Sequence, residues 1–224
     1  MDLTSQRREY ETEGIDVDDL DPDPLVQVDR WLEDAYASGT AEPTAAVFAT
    51  ASTHGQPSAR TVLLKGLTGG GFVIYTNYDS RKGREALTNP WAALTITWVE
   101  LSRQVRIEGM VEQIDPAESD AYFATRPRGA QLGAWASAQS QPIADRAQLE
   151  HQLAEVHERY AGLDVPRPPH WGGLRVVPHE VELWQGRLDR LHDRLVYVPA
   201  EDEAPLEPGM ATRVEHWEII RRSP

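Results

Sequence analysis

The strongest constraint on the fold of this 224-residue chain is the order in which apolar runs and turn signals follow one another. Apolar runs at 45–50, 58–64 and 72–76 are separated by Ser52-Thr53-His54-Gly55 and by a glycine-rich connection at 66–71. Runs of that length around such turns read as antiparallel hairpins. Further strands are expected at 92–99, 104–114, 174–177, 181–184, 188–198 and 215–220. Helical patterns fall between the hairpins instead of alternating strictly with strands. One opens on Asp23-Pro24, carries Leu25, Val28, Leu32 and Tyr36 at helical spacing, and stops at Gly39. A short one follows Ser80 and ends at Asn89-Pro90. A third starts at the capping box Asp115-Pro116-Ala117-Glu118 and runs through Tyr122 and Phe123. A fourth spans 146–160, with Leu149, Leu153, Val156 and Tyr160 as its apolar stripe. Residues 129–142 give no clear element. This order favours a mainly β, α+β architecture, an antiparallel barrel flanked by helices, over a doubly wound parallel sheet.

The chain has no cysteine, which removes disulfides, Cys-ligated zinc, iron–sulfur clusters and thiol catalysis. A net charge of −14 argues against a general nucleic-acid binder. Much of that charge lies in the first 34 residues, where twelve acidic residues face three arginines. Residues 1–22 are therefore expected to form a mobile acidic arm before a single domain over 23–224. No apolar run approaches the ~20 residues of a membrane helix, and no apolar leader core is visible, so a cytoplasmic protein is expected. Gly69-Gly70-Gly71 precedes a strand, not a helix, and no Gly-x-Ser-x-Gly elbow occurs. His179-Glu180 lacks a second histidine, and the seven histidines are scattered, so no metal site is expected. Redox chemistry would need a cofactor.

Several stretches suit an anionic ligand. If 190–194 is a strand, Arg190, His192 and Arg194 share one face, and Leu191 and Asp193 the other. That row fits a phosphorylated ligand; the alternative is a solvated edge strand that uses charge against aggregation. Arg60 and Lys65 fall on opposite faces of a regular strand and would serve different ligand groups, or are two surface cations. Arg81 and Lys82 lie in the first turn of the helix capped by Ser80, where cations are ordinarily disfavoured; a phosphate there would account for them. Gln104 offers the donor and acceptor that a heteroaromatic edge requires, or simply faces solvent. Arg126-Pro127-Arg128 either complements a helix C-terminus or grips a second phosphate.

Taken together, these stretches resemble the pyridoxine/pyridoxamine 5′-phosphate oxidase family. The carrying motifs are Arg7-Arg8-Glu9-Tyr10, the stretch Arg60-Thr61-Val62-Leu63-Leu64-Lys65, Tyr75-Thr76 with Ser80-Arg81-Lys82, Arg103-Gln104-Val105, and Tyr122-Phe123 with Arg126-Pro127-Arg128. They continue in Gly133-Ala134-Trp135, Gln139-Ser140, Trp171-Gly172-Gly173, Trp184-Gln185-Gly186 and 190–194, in nearly collinear order to the C-terminus. The resemblance implies an FMN-binding split β-barrel acting as a homodimer, with FMN at the interface. It implies FMN contacts from Arg60 through Lys65 (with Thr61, Val62, Leu63 and Leu64 between), Tyr75, Thr76, Arg81, Lys82, Gln104, Gln139, Ser140, Trp184 and Arg194. Lys65, Tyr122 and Arg126 would hold the substrate phosphate; Arg190 and His192 would lie over the pyridine ring as catalytic residues; Arg7 and Tyr10 would belong to a segment that closes over the site. The activity implied is oxidation of pyridoxine 5′-phosphate or pyridoxamine 5′-phosphate to pyridoxal 5′-phosphate, with hydride passing to flavin and on to O2, which leaves as H2O2. Many relatives carry serine at the position of Ala130, where it bonds the substrate phosphate; this chain lacks that hydroxyl. A split-barrel flavin enzyme for another substrate, of phenazine-precursor type, and a non-catalytic flavin- or pyridoxal-phosphate-binding protein are the alternatives.

Overall fold

In the computed structural model, residues 9–204, 207 and 213–224 are described. Eight strands form one antiparallel sheet: β1 (Ala45–Ala51), β2 (Pro57–Thr68), β3 (Gly71–Asn77), β4 (Trp91–Trp98), β5 (Arg103–Gln113), β6 (Trp171–Gln185), β7 (Asp193–Pro199) and β8 (Trp217–Arg221). Their order is β3-β2-β1-β4-β5-β6-β7-β8, and an extra β3–β6 pairing closes the first six into a barrel. β6 makes that closure and also splits it. One of its edges follows β5 throughout. On the other edge, Trp171 to Val176 pair with β3, whereas Val181 to Gln185 pair with β7. The changeover falls at a bulge: Glu108 pairs with Glu180 and Gly109 with Pro178, which leaves His179 as the extra residue. Pro178 cannot donate to a ladder, so it suits the place where the edge changes partner. Gly109 is required opposite it, because a Cβ there would run into the Val177 carbonyl.

Sequence alternation places Phe48, Leu94, Ile96, Val105, Ile107, Leu174 and Leu183 inside the barrel, all fully buried. Helix α1 (Pro24–Ala37), capped by the Asp23 carboxylate, closes one end with Val28, Trp31, Leu32 and Ala35. Its buried stripe is shifted from the expected one: Tyr36 is 61% exposed, and Trp31 packs edge-on against Trp98 instead. Helix α2 (Arg81–Thr88) starts at its Ser80 cap. Helices α3 (Pro116–Thr125), α4 (Arg128–Ala136) and α5 (Arg146–Arg159) build a second small core from Phe123, Leu132, Ala136, Val156, Val165 and Trp171. Among the described residues, no helix is long and apolar enough to cross a membrane.

Several expected boundaries change. The connection at 66–71 shrinks to a tight turn at Gly69-Gly70, both left-handed, because β2 continues to Thr68 through a bulge at Leu64/Gly66. The two strands expected at 174–177 and 181–184 are one bulged strand. Residues 129–142 contain a helix, α4. Asp115 caps α3 by accepting from Ala117 N–H, while Glu118, the expected partner in a capping box, turns instead to Arg175. Most consequential, 188–198 is not one strand. Leu188–Arg190 is a 3-10 turn with Asp189 at φ 53° and Arg190 at φ 61°, and β7 begins only at Asp193. Arg190, His192 and Arg194 therefore do not form a single strand row.

Candidate active site

A cleft of about 620 Å³ opens between the barrel and the helical layer. That volume is in the ordinary range for a small-molecule site. β2 contributes Thr61, Val62, Leu63 and Lys65, and β3 contributes Tyr75, Thr76 and Asn77. Lys82 comes from α2, Tyr122 and Arg126 from the end of α3, and Ala130, Gly133 and Ala134 from α4. Ser137, Gln139 and Trp171 complete the wall.

The helical side of the cleft is aromatic. Tyr75 and Tyr122 stack with centroids 3.8 Å apart, and Trp171 lies nearly parallel to both. The Arg126 guanidinium sits 4.5 Å over the Trp171 ring. Its Nη1 is buried and has no hydrogen-bond partner. Burial lowers the Arg126 pKa and raises that of Tyr122, and each group's charge partly offsets the shift of the other. A buried donor on a cation with nothing to donate to is costly unless a ligand supplies the acceptor. Arg128, the neighbouring candidate cation, is already engaged: it donates to the Leu163 and Tyr160 carbonyls and ties α4 to the chain beyond α5. Ala130 lines the cleft, but its N–H donates to the Pro127 carbonyl, so it does not replace the missing serine hydroxyl.

At the other end, Gln139 Oε1 accepts from Lys82 Nζ at 3.0 Å and from Thr76 Oγ1 at 3.3 Å. Three residues far apart in sequence meet there. Burial and the nearby Arg60 lower the Lys82 pKa. Ser140 follows in an exposed left-handed conformation, φ 70°.

Arg60 and Lys65 do lie on opposite faces of β2, with Arg60 partly buried and Lys65 exposed toward the cleft. Leu64 is a barrel core residue, 2% exposed. Arg60 and Arg81 stand behind the cleft wall and converge on Glu85, a buried residue of α2 that sequence reading did not single out. Arg81 Nε donates to Glu85 Oε1 at 2.8 Å, and Arg60 Nη2 lies 3.7 Å from Glu85 Oε2. Thr50 and Ser58 hydroxyls donate to the same carboxylate. Burial alone would raise the Glu85 pKa, but the Ser58, Thr50 and Arg81 donors outweigh it and pull it from 4.5 to about 2. A folded-state pKa below the unfolded one contributes stability that is complete above about pH 4.5 and lost as pH falls toward 2. Glu85→Gln is expected to be less stable than the parent by on the order of 2 kcal/mol at pH 7 and nearly equal to it near pH 2. Urea unfolding at both pH values checks this; a pH-independent difference would refute it.

A second group of candidate residues lies elsewhere. Gln104 of β5, Trp184 of β6 and Arg194 of β7 are direct cross-strand neighbours, forming one row over three strands. His192 packs against Trp184 at 4.7 Å, and Tyr10 meets both rings edge-on. The Arg187 N–H donates to His192 Nδ1 at 3.0 Å, so the neutral ring carries its proton on Nε2. Burial and then Arg190 lower the His192 pKa, against a smaller opposing effect of Asp193. Arg190 is exposed in the turn beside them. Thr12 and Ile15 also dock here, on the Gly186 carbonyl and the Asp193 carboxylate. Arg7 lies outside the described residues.

The two groups are separated along β6. Trp171 lines the cleft, and Trp184 is thirteen residues further on, about 40 Å along an extended strand.

Comparison with known proteins bears on this arrangement. Residues 32–160 match a family profile described as pyridoxamine 5′-phosphate oxidase, and residues 171–224 match the pyridoxine 5′-phosphate oxidase C-terminal dimerisation region. The chain belongs to this oxidase family. It is 58% identical over 196 residues to a pyridoxine/pyridoxamine 5′-phosphate oxidase of Rubrobacter xylanophilus, covering 88% of this chain and 90% of that one. A protein of the same name from Nostoc sp. is 49% identical over 222 residues, covering 99% and 98%. Among solved structures, PhzG from Burkholderia lata 383, in complex with tetrahydrophenazine-1-carboxylic acid, superposes with a TM-score of 0.84 at 29% identity, covering 97% of this chain and all of that one. The family's C-terminal dimerisation region contains the whole second group apart from Tyr10 and Gln104.

Trp171 belongs to the cleft, although the expected site residues did not include it. The glycines that follow it carried a signal. A Cβ on Gly172 would strike the Tyr78 hydroxyl, and one on Gly173 the Ile114 side chain, so this segment must be glycine for β6 to pass close to the helical layer.

Proposed function

We propose that this protein is an FMN-dependent oxidase that converts pyridoxine 5′-phosphate or pyridoxamine 5′-phosphate to pyridoxal 5′-phosphate, with O2 as acceptor and H2O2 released. The observation that carries the proposal is Arg126: a cation stacked on Trp171, with one buried donor left unpartnered, in the wall of a cleft that Lys65 and Tyr122 also line. This is the donor set a phosphate monoester needs.

The residues present also fit FMN. Arg60 and Arg81 share the single carboxylate of Glu85, and Lys82 in the first turn of α2 adds a third cation near Arg60, an excess of positive charge suited to a second phosphate. Gln139 and Thr76 add polar groups beside it. Bound FMN would supply the hydride acceptor that no side chain here provides. The chain's own part is positional. Lys65, Tyr122 and Arg126 hold the substrate phosphate at the helical end of the cleft. His192, kept neutral by burial and by Arg190, presents an Nε2–H donor to the ring. Arg190 offers an exposed positive charge.

Since Arg190 and His192 lie far along β6 from the cleft of their own chain, the complete site draws them from a second copy. We infer a homodimer with FMN at the interface; the match to the family's dimerisation region supports it.

The test is the visible flavin spectrum of FMN-loaded protein on anaerobic addition of pyridoxine 5′-phosphate, with pyridoxamine 5′-phosphate in parallel. Bleaching reversed by air, with pyridoxal 5′-phosphate formed, is the expected result. The likeness to PhzG favours a second reading, a carboxylated phenazine precursor as substrate. An unchanged band with both B6 phosphates, together with bleaching by tetrahydrophenazine-1-carboxylic acid, would replace the first reading with this one.

A further inference from the structure

The polar face of β5, β6 and β7 contains a buried acid that neither the sequence reading nor the proposed chemistry uses. Glu182 is 3% exposed, two residues before Trp184 and on the same face of β6. Both of its carboxylate oxygens are occupied. Oε1 accepts from Arg194 Nε at 3.2 Å, and Oε2 accepts from Arg194 Nη2 at 2.6 Å and from Arg106 Nη1 at 3.3 Å. Arg106 is the direct cross-strand neighbour of Glu182 on β5. Arg194 Nη1 donates to the Ser223 carbonyl at 3.0 Å, which pins the far side of the guanidinium to the C-terminal segment.

The two-point contact with Glu182 fixes the plane of the Arg194 guanidinium, a geometry that Arg–carboxylate pairs enforce. After these bonds, one hydrogen on each terminal nitrogen of Arg194 remains undirected within the protein, and the side chain stays 26% exposed. Those two N–H groups are the ones Arg194 has for a ligand beside Gln104 and Trp184, its neighbours in the row.

We propose that Glu182 is a positioning residue for the cofactor: it orients Arg194 so that the two remaining N–H groups face the flavin. The inference rests on the FMN reading above. A buried acid of this kind could equally serve only to neutralise two arginines in the sheet. The two roles differ in what happens to flavin affinity when Arg194 is already gone. Glu180 supplies a control. It lies two residues away on β6 and pairs bidentately with Arg222, at 2.7 Å on both oxygens, without bonding Arg194.

The experiment is fluorescence titration of the apoprotein dimer with FMN, with circular dichroism confirming the fold of each variant. Glu182→Gln is expected to weaken FMN binding about tenfold, a normal coupling between side chains in contact. In an Arg194→Ala background the same substitution is expected to change affinity by less than about twofold, because the group it orients is absent. Glu180→Gln is expected to leave affinity at the parental value. Glu182→Asp keeps the charge but withdraws it from Arg194; it is expected to fold and to weaken FMN binding as well, and it serves if Glu182→Gln does not fold. An equal loss in the Arg194→Ala background, an equal loss from Glu180→Gln, or unchanged affinity in both Glu182 variants would overturn the proposal. Failure of the parent protein to bind FMN would instead refute the underlying flavin reading.

Discussion

Replacing Arg126 with alanine is expected to raise KM for pyridoxine 5′-phosphate about a hundredfold or more while leaving the folded protein nearly as stable as before. The two halves of this expectation have one cause. Arg126 Nη1 is buried without a partner, so the free protein already bears the cost of a desolvated donor. Removing the guanidinium relieves that cost, and the relief offsets the lost stacking on Trp171 and Phe123. With substrate bound, the same truncation leaves a phosphate oxygen without its charged donor. Losing one side of a desolvated charge pair costs about 2–5 kcal/mol, which corresponds to about 30-fold to several thousandfold in affinity. The phosphate is remote from the reacting carbon, so the interaction is the same in ground and transition states; the loss should appear in KM with kcat little changed. Steady-state kinetics alongside thermal unfolding checks both halves. A wild-type KM, or a collapse in stability with KM unmoved, would show that Arg126 is a structural residue and would remove the main support for a phosphorylated substrate.

How far these residues could be read in advance depended on the range of the forces that place them. β1 to β5 follow from alternation and turn chemistry over a few residues, and apart from the extension of β2 to Thr68 their limits are close to those expected. The interruption of β6 was legible at Pro178, but it reads as the end of one strand and the start of another; only the pairing of Glu108 and Gly109 across the bulge shows a single strand serving two partners. α4 was hidden because Gly129 and Gly133 weaken helix propensity. Burial of Leu132 and Ala136 against Val156 and Trp171 overrides that weakness. The cleft cations follow the same division. Lys65 and Lys82 could be placed from strand parity and from the Ser80 cap. Arg81 and Glu85 stand four apart on α2, a spacing that favours an ion pair, but the convergence of Arg60 on the same carboxylate could not be foreseen, because β2 is more than twenty residues away in sequence. The turn at 188–190 gave the least warning. Asp tolerates a left-handed backbone, but nothing in the residue type of Arg190 announces one.

At Arg190, stability and turnover are expected to move in opposite directions. The residue stands at φ 61°, directly after Asp189 at φ 53°. A side chain with a Cβ is disfavoured in that region by about 1 kcal/mol or more, and glycine is not. The Arg190 side chain is exposed and makes no hydrogen bond or ion pair with a described residue that would compensate. Strain retained in this way at an exposed turn is accounted for if the guanidinium is needed by a ligand. Arg190→Gly is therefore expected to raise stability by up to about 1 kcal/mol, reduced somewhat by the greater freedom of the unfolded chain. The same substitution is expected to lower kcat about a hundredfold, the usual scale for losing one charged donor at a reacting centre. Arg190→Ala keeps the Cβ and its strain, so it should lose the same turnover with no gain in stability. FMN affinity should stay at the parental value in both variants, because Arg190 is assigned to the substrate ring and not to the flavin. Urea unfolding, FMN titration and steady-state kinetics on the three proteins separate these effects. Parental turnover in either variant would end the catalytic assignment of Arg190. A fall in flavin affinity would move it to the cofactor site, and a glycine variant no more stable than alanine would mean that the left-handed turn is not the source of strain.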